Sequence, residues 1–347
     1  MKSAEFFPKK WCCLTKNGRP SGKDCRRVDR NGLCLRLPTS ESVIFLNNLY
    51  VNIHAINYKL CENVPGLGKN HYLCEKLRTM QKYADYIKRI EIDSLWSGKK
   101  HIVWELNPQV NILSGINGVG KSTILNKVVK GLTAGGEYPS HQLKGVKLEV
   151  EPKEAKWIRY DVIRSLDSPV LDLQTMTHVD TRISSALDFQ LYHLQRKYLD
   201  YQVNIGNRII AELQQGNAEA AQHLSVKKKR FQDIVDELFA ETGKKIVRTE
   251  NEIRFSQIGE TLVPYQLSSG EKQMLAILLT VLVEDDQPHV LFMDEPEVSL
   301  HIEWQKRLID LCLELNPRVQ IILTTHSPAV IMNGWMDSVT EVSDITL

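Results

Sequence analysis

The chain has 347 residues, 42% of them hydrophobic and 25% charged, with a formal net charge of +2, an ordinary globular balance for one large domain with attachments or for two domains. The longest apolar run, 274–283, is too short to span a bilayer, and no sustained apolar core follows the N-terminal lysines. Neither a membrane segment nor a signal peptide is expected, which favours the cytoplasm.

Charge and cysteine divide the chain unevenly. Residues 1–79 carry a surplus of eight positive charges and six of the seven cysteines, whereas the remainder is net negative and holds Cys312 alone. This first segment reads as a basic, cysteine-rich extension ahead of a domain over 80–347. A zinc module drawing on Cys12, Cys13, Cys25 and Cys34, or on Cys61, His71 and Cys74, lacks the usual paired spacing. A basic arm around Arg26, Arg27 and Arg30 would contact nucleic acid. An accessory extension is the plainer reading, and Met80 opens a stretch that looks like a natural protein start.

From Ile87 the pattern sharpens. Ile87, Ile90 and Ile92 predict a strand, Ser97-Gly98 a turn, and 101–106 the hairpin partner. Trp96 or Trp104 would serve to stack an adenine ring, core packing being the alternative. After the break at Asn107-Pro108, the apolar run 110–113 enters Gly115-Ile116-Asn117-Gly118-Val119-Gly120-Lys121-Ser122-Thr123, and a helix follows over 124–132. A strand, a glycine-rich turn and a helix start make a phosphate-binding loop. Its glycines let backbone amides close around phosphate oxygens, and the helix N-terminus adds a positive dipole end. Lys121 would reach the β- and γ-phosphates, and Ser122 would hold Mg²⁺.

Short strands are expected over 146–150 and 159–163, then a polar stretch with Gln174. Helices over about 184–215 and 217–241 form an antiparallel hairpin, with Leu187, Leu191, Leu194, Tyr198 and Tyr201 at steps of three and four. Lys227-Lys228-Lys229-Arg230 on the second helix is a solvated face or a phosphate-backbone contact. Strands are expected again over 245–247 and 252–255. Leu267-Ser268-Ser269-Gly270-Glu271-Lys272-Gln273 then opens an apolar helix. The unbroken apolar run 290–293 predicts a strand buried on both faces of a parallel sheet, which delivers Asp294 and Glu295 to its carboxyl edge, where such sheets bind ligands. A helix over 304–315 and a strand over 319–323 lead to Thr324-Thr325-His326-Ser327-Pro328. Beside a phosphate loop, Asp294 would take Mg²⁺, Glu295 would activate the attacking water, and His326 would reach a γ-phosphate.

The phosphate loop, the 267–273 motif, the Asp294-Glu295 pair and His326 together resemble the ABC-type ATPase superfamily from about residue 87 onward. The resemblance implies an α/β P-loop fold with a mostly parallel central sheet, an antiparallel N-terminal β-hairpin and a helical lobe over about 183–242. It implies ATP and Mg²⁺ as cofactors and hydrolysis to ADP and phosphate. In that family the 267–273 signature of one subunit caps ATP held by another, so Ser268 and Gly270 would bind a γ-phosphate in trans within a head-to-tail homodimer. Gln174 is the candidate glutamine-loop residue.

Asp294-Glu295-Pro296-Glu297-Val298-Ser299-Leu300-His301 looks like the soluble branch of RecF-like, SMC-like and OLD-like ATPases found in defence and DNA repair. The 147 residues from Lys121 to Ser268 are too few for an SMC arm. Only 21 residues follow His326, so a nuclease effector would be a separate chain. The resemblance therefore implies a cytoplasmic ATPase whose dimerisation gates a partner or nucleic-acid engagement, without a membrane. A transporter nucleotide-binding subunit is the alternative, and Glu295 argues against a mere nucleotide sensor.

Overall fold

The computed structural model describes residues 83–95, 100–133, 145–163, 183 and 185–347. All of them fall in Gln81–Leu347, one of two units into which the chain divides. The readings placed on 1–79, on Trp96 and on Gln174 lie outside the described residues.

β1 (Tyr86–Leu95) and β2 (Lys100–Glu105) form the expected hairpin, and β3 (Val110–Ser114) runs through the glycine-rich loop into α1 (Lys121–Thr133). β4 (Val146–Glu151) and β5 (Tyr160–Ile163) follow, then the helical hairpin α2 (Ala186–Gln214) and α3 (Ala218–Leu238). β6 (Lys245–Ile246), β7 (Phe255–Gln257) and β8 (Glu260–Leu262) precede α4 (Ser269–Val283). β9 (His289–Asp294), α5 (Ile302–Leu315), β10 (Val319–Thr324), α6 (Pro328–Ile331) and β11 (Val339–Glu341) complete the chain.

Five strands in the order β11-β3-β10-β9-β5 make a wholly parallel sheet. β9 and β10 are central, and their residues alternate between two cores. Leu291, Met293, Ile321 and Leu323 pack with the helices, while Val290, Phe292 and Ile322 pack with α1 and the first sheet. Burial on both faces is why these strands read as unbroken apolar runs. The first sheet, β2-β1-β4, is antiparallel and covers one face only. Its strands accordingly alternate: Val146, Leu148 and Val150 are buried between exposed Lys147 and Glu149.

α4 is buried almost all round, from Met274 through Leu282. At about 1.5–3 kcal/mol for each large apolar side chain removed from water, it is a principal anchor of the helical layer. α2 begins with a reciprocal cap, the Ser185 hydroxyl accepting from the Asp188 N–H and Asp188 accepting from the Ser185 N–H. Leu187, Leu191, Leu194, Tyr198 and Tyr201 all lie in the core, as their spacing predicts.

The strand expected at 252–255 is displaced to β7, which pairs with β8 around Ile258-Gly259. A side chain explains the difference. Gln195 on α2 accepts from the Ile253 N–H at 2.9 Å and donates to its carbonyl at 3.2 Å, so those backbone groups are satisfied outside any ladder.

Candidate phosphate-binding site

The loop after β3 turns on three glycines with positive φ: Gly115 (147°), Gly118 (78°) and Gly120 (106°). Residues with a Cβ rarely adopt such values. α1 starts at Lys121, where the Ile124 N–H reaches the Gly120 carbonyl at 2.9 Å. Amides converging at a helix N-terminus form an anion-binding geometry.

Lys121 is only 3% exposed. Its Nζ donates to the carbonyls of Gly115 (3.0 Å) and Ile116 (3.3 Å) and lies 3.5 Å from His326 Nδ1. Burial is the largest influence on the ammonium and lowers its pKa, while the carboxylates of Glu295, Asp294 and Glu297 pull the other way. An ammonium has no lone pair, so in this contact Nδ1 of His326 can only accept, which leaves Nε2 as the ring's other polar atom. That nitrogen faces Glu295 Oε1 at 3.3 Å.

β9 and β10 run in register, placing Thr324 opposite Asp294. The Thr324 hydroxyl donates to Asp294 Oδ1 at 2.6 Å. One residue on, Glu295 adopts φ +47°, and its N–H donates to the Thr324 carbonyl at 3.1 Å. The left-handed turn aims the carboxylate back across the sheet edge. A cleft of about 390 Å³ results, lined by Asn117, Gly118, Gly120, Lys121, Ser122, Thr123, Glu295 and His326. Residues up to 209 positions apart in sequence thus meet at one carboxyl edge.

Ser268 and Gly270 do not line that cleft. Ser268 caps α4, its hydroxyl facing the Glu271 N–H at 3.4 Å while its own N–H donates to Glu271 Oε2 at 2.9 Å. Glu271 is buried and also takes bonds from Lys244 Nζ and the Thr242 hydroxyl, each at 2.9 Å. Lys272 pairs with buried Asp188 at 2.8 Å, tying the signature to the first turn of α2. A Cβ at Gly270 would overlap the Ser299 carbonyl oxygen, so glycine is required there for packing alone.

Trp104 is 2% exposed and donates from Nε1 to the Thr340 hydroxyl at 3.3 Å, which makes it core and not a base platform. The basic run on α3 is engaged within the chain: Lys227 with Asp286, Lys229 with Asp233, Arg230 with Glu314, and Lys228 with Gln202. Glu91, Asp93 and His101 form a metal-like cluster, but the Lys147 ammonium already lies 3.2 Å from Glu91 and 2.9 Å from Asp93.

Sequence reasoning missed Glu297. It is buried, and its Oε1 takes the Thr325 hydroxyl and the His326 and Ser327 amides. The only signal was a third acid just beyond a buried strand, which does not reveal its partners.

A parallel sheet with this loop, these two acids and this histidine at one edge defines an ABC-type P-loop ATPase fold. The chain belongs to the family described as "AAA domain, putative AbiEii toxin, Type IV TA system", whose profile matches residues 153–333. The "Septu protein PtuA" of Bacillus thuringiensis is 23% identical over 292 residues, covering 71% of this chain and 72% of that protein. The "Retron Ec83 probable ATPase" of Escherichia coli is 28% identical over 123 residues, covering 31% of this chain and only 23% of that protein. Among solved structures, an SMC head bound to the C-winged helix domain of ScpA matches with a TM-score of 0.39 at 17% identity, covering 72% of this chain and 91% of that one.

Proposed function

We propose that this chain binds ATP with Mg²⁺ and hydrolyses it to ADP and phosphate. The observation that carries the reading is the convergence of the glycine loop, Lys121, Glu295 and His326 on one cleft. Gly115, Asn117, Gly118, Gly120 and Thr123 shape the phosphate cradle, and Lys121 leaves its loop carbonyls for the β- and γ-phosphates. The Ser122 hydroxyl and Asp294 supply oxygen ligands suited to Mg²⁺, and Thr324 orients Asp294. When bound, the ion would neutralise phosphate charge. Glu295 accepts the proton of the attacking water, and His326 steers Glu295 and faces the γ-phosphate.

Ser268 and Gly270 lie outside this cleft, which supports their action on ATP held by a second copy. We read the chain as an ATP-driven homodimer that gates a separate effector or nucleic-acid engagement in defence or repair. The "Septu" and "Retron" names of its relatives support the defence branch. The transporter alternative rests on short matches, such as 36% identity over 81 residues to a "Phosphate import ATP-binding protein" of Mycoplasma mobile. Among the described residues, no helix is long and apolar enough to cross a membrane.

Two substitutions test the site. Lys121→Ala should lower ATP affinity at least about tenfold, since it removes a charge-assisted contact of roughly 1.5–3 kcal/mol, with little change in fold. Glu295→Gln should bind ATP as wild type does and lose roughly 10²–10⁴-fold in turnover. Equal affinity in the first variant, or wild-type turnover in the second, would sink the assignment.

A further inference from the structure

Glu297 stands in the third position after Asp294, outside the cleft, and has no role in the chemistry described above. Its Oε1 nonetheless accepts three hydrogen bonds, while Oε2 is buried without a partner among the described residues. The residue is 8% exposed. Oε1 accepts from the Thr325 hydroxyl at 2.5 Å, from the His326 N–H at 2.9 Å and from the Ser327 N–H at 3.3 Å. Three consecutive residues of the His326 loop therefore point donors at one oxygen. The loop lies between regular elements: β10 ends at Thr324, and α6 begins only at Pro328.

Gln305 on α5 supports the same arrangement from the other side. Its Nε2 donates to the carbonyls of Leu300 (2.9 Å) and Glu297 (3.4 Å), and its Oε1 accepts from the Ser327 hydroxyl at 2.6 Å. The turn that follows Glu295 and the loop that carries His326 are thus clipped together twice.

A buried carboxylate is expensive to desolvate and is retained where its hydrogen bonds repay the cost. Here every one of those bonds goes to the segment that sets the His326 backbone. The imidazole needs that setting. Its Nδ1 must meet Lys121 at 3.5 Å while its Nε2 meets Glu295 at 3.3 Å, and a small loop shift would break one of the two contacts.

We propose that Glu297 is a positioning residue for His326, fixing the 325–327 backbone so that the imidazole spans Lys121 and Glu295. The inference rests on the ATPase reading above. It assigns Glu297 a geometric role and no proton transfer.

The test compares steady-state ATP turnover and binding of a non-hydrolysable ATP analogue in the full chain. Glu297→Ala should lower kcat roughly ten- to a hundredfold, a part of what a positioned acid–base group supplies, and leave analogue affinity within about twofold. Glu297→Gln should recover most of the rate, because its amide oxygen can accept the same three donors. Thr325→Val removes one donor at nearly constant shape and should cost a few-fold in kcat; it carries the test if Glu297→Ala does not fold. His326→Ala should be slow, and adding Glu297→Ala to it should slow it no further, since residues acting through one another are non-additive.

Wild-type kcat in both Glu297→Ala and Thr325→Val would overturn the proposal. So would a full multiplicative loss on the His326→Ala background, or a Glu297→Gln variant as slow as Glu297→Ala. Wild-type turnover in His326→Ala would remove the underlying reading itself, an outcome distinct from silence at Glu297 alone.

Discussion

Glu271 shows how a single residue in the signature serves the fold. Burial by itself would raise its pKa; the hydrogen bonds from Lys244, the Ser268 N–H and the Thr242 hydroxyl outweigh that and hold it below the ordinary value of 4.5. A carboxyl whose folded pKa is depressed contributes stability above its unfolded pKa and loses it as pH falls through the folded pKa. The start of α4 should therefore loosen as pH falls below the ordinary value of 4.5. Amide exchange at 268–272 across pH 3–6 would show this, and Glu271→Gln should flatten the dependence. A pH-independent wild type would contradict the assignment. At this scale Lys121, Asp294 and Glu295 were legible in the sequence, because a glycine loop or an unbroken apolar run fixes where each must emerge. Glu297 and Thr324 were not, because their partners lie 28–30 positions away across the sheet edge.

Among elements, the helical hairpin packs into the main core, and Arg208 together with two residues of the basic run adds charge pairs to the body. Arg208 reaches Asp285 at 2.5 Å, Lys227 pairs with Asp286, and Arg230 pairs with Glu314. Exposed pairs of this kind contribute little singly. Lys227→Ala and Arg230→Ala should each cost about 0.5–1 kcal/mol in urea unfolding and leave nucleic-acid retention unchanged. A marked fall in retention, with a shallower salt slope, would restore the phosphate-backbone reading. The hairpin itself was legible because steps of three and four recur along α2. Of the small sheet, β6 was legible, but β7 was expected too early and β8 was not read, because Gln195 substitutes for a strand at Ile253 and such a long-range side-chain bond leaves no periodic trace.

For the whole molecule, the proposed action of Ser268 and Gly270 in trans makes a mixing prediction. Position 270 is unsuitable for it, since any Cβ there strikes Ser299 in the same chain. Ser269 is exposed at the first turn of α4, where a carboxylate suits the helix dipole. Ser269→Glu should therefore fold normally and repel a γ-phosphate held by a second copy. Lys121→Ala and Ser269→Glu should each be inactive alone. After subunit exchange about half the dimers are mixed, each with one intact site of two, so turnover should return to about a quarter of wild type. Background activity after demonstrated exchange, together with no ATP trapping, would argue against Ser268–Gly270 acting in trans.

Because no side chain fits between Gly270 and the Ser299 carbonyl, the start of α4 and the turn after Glu295 form a single tile. Ser299 itself sits at φ +74°, a conformation that leaves the tile little slack. On the proposed ATPase reading, a displacement at Glu295 has a short route to Ser268 through this contact, alongside the Lys272–Asp188 link to the helical lobe. In a pair of chains the two sites would then be geared in series, each turning the other's contact surface. The shortfall of the mixed dimer from a quarter of wild-type turnover would measure the stiffness of that gear.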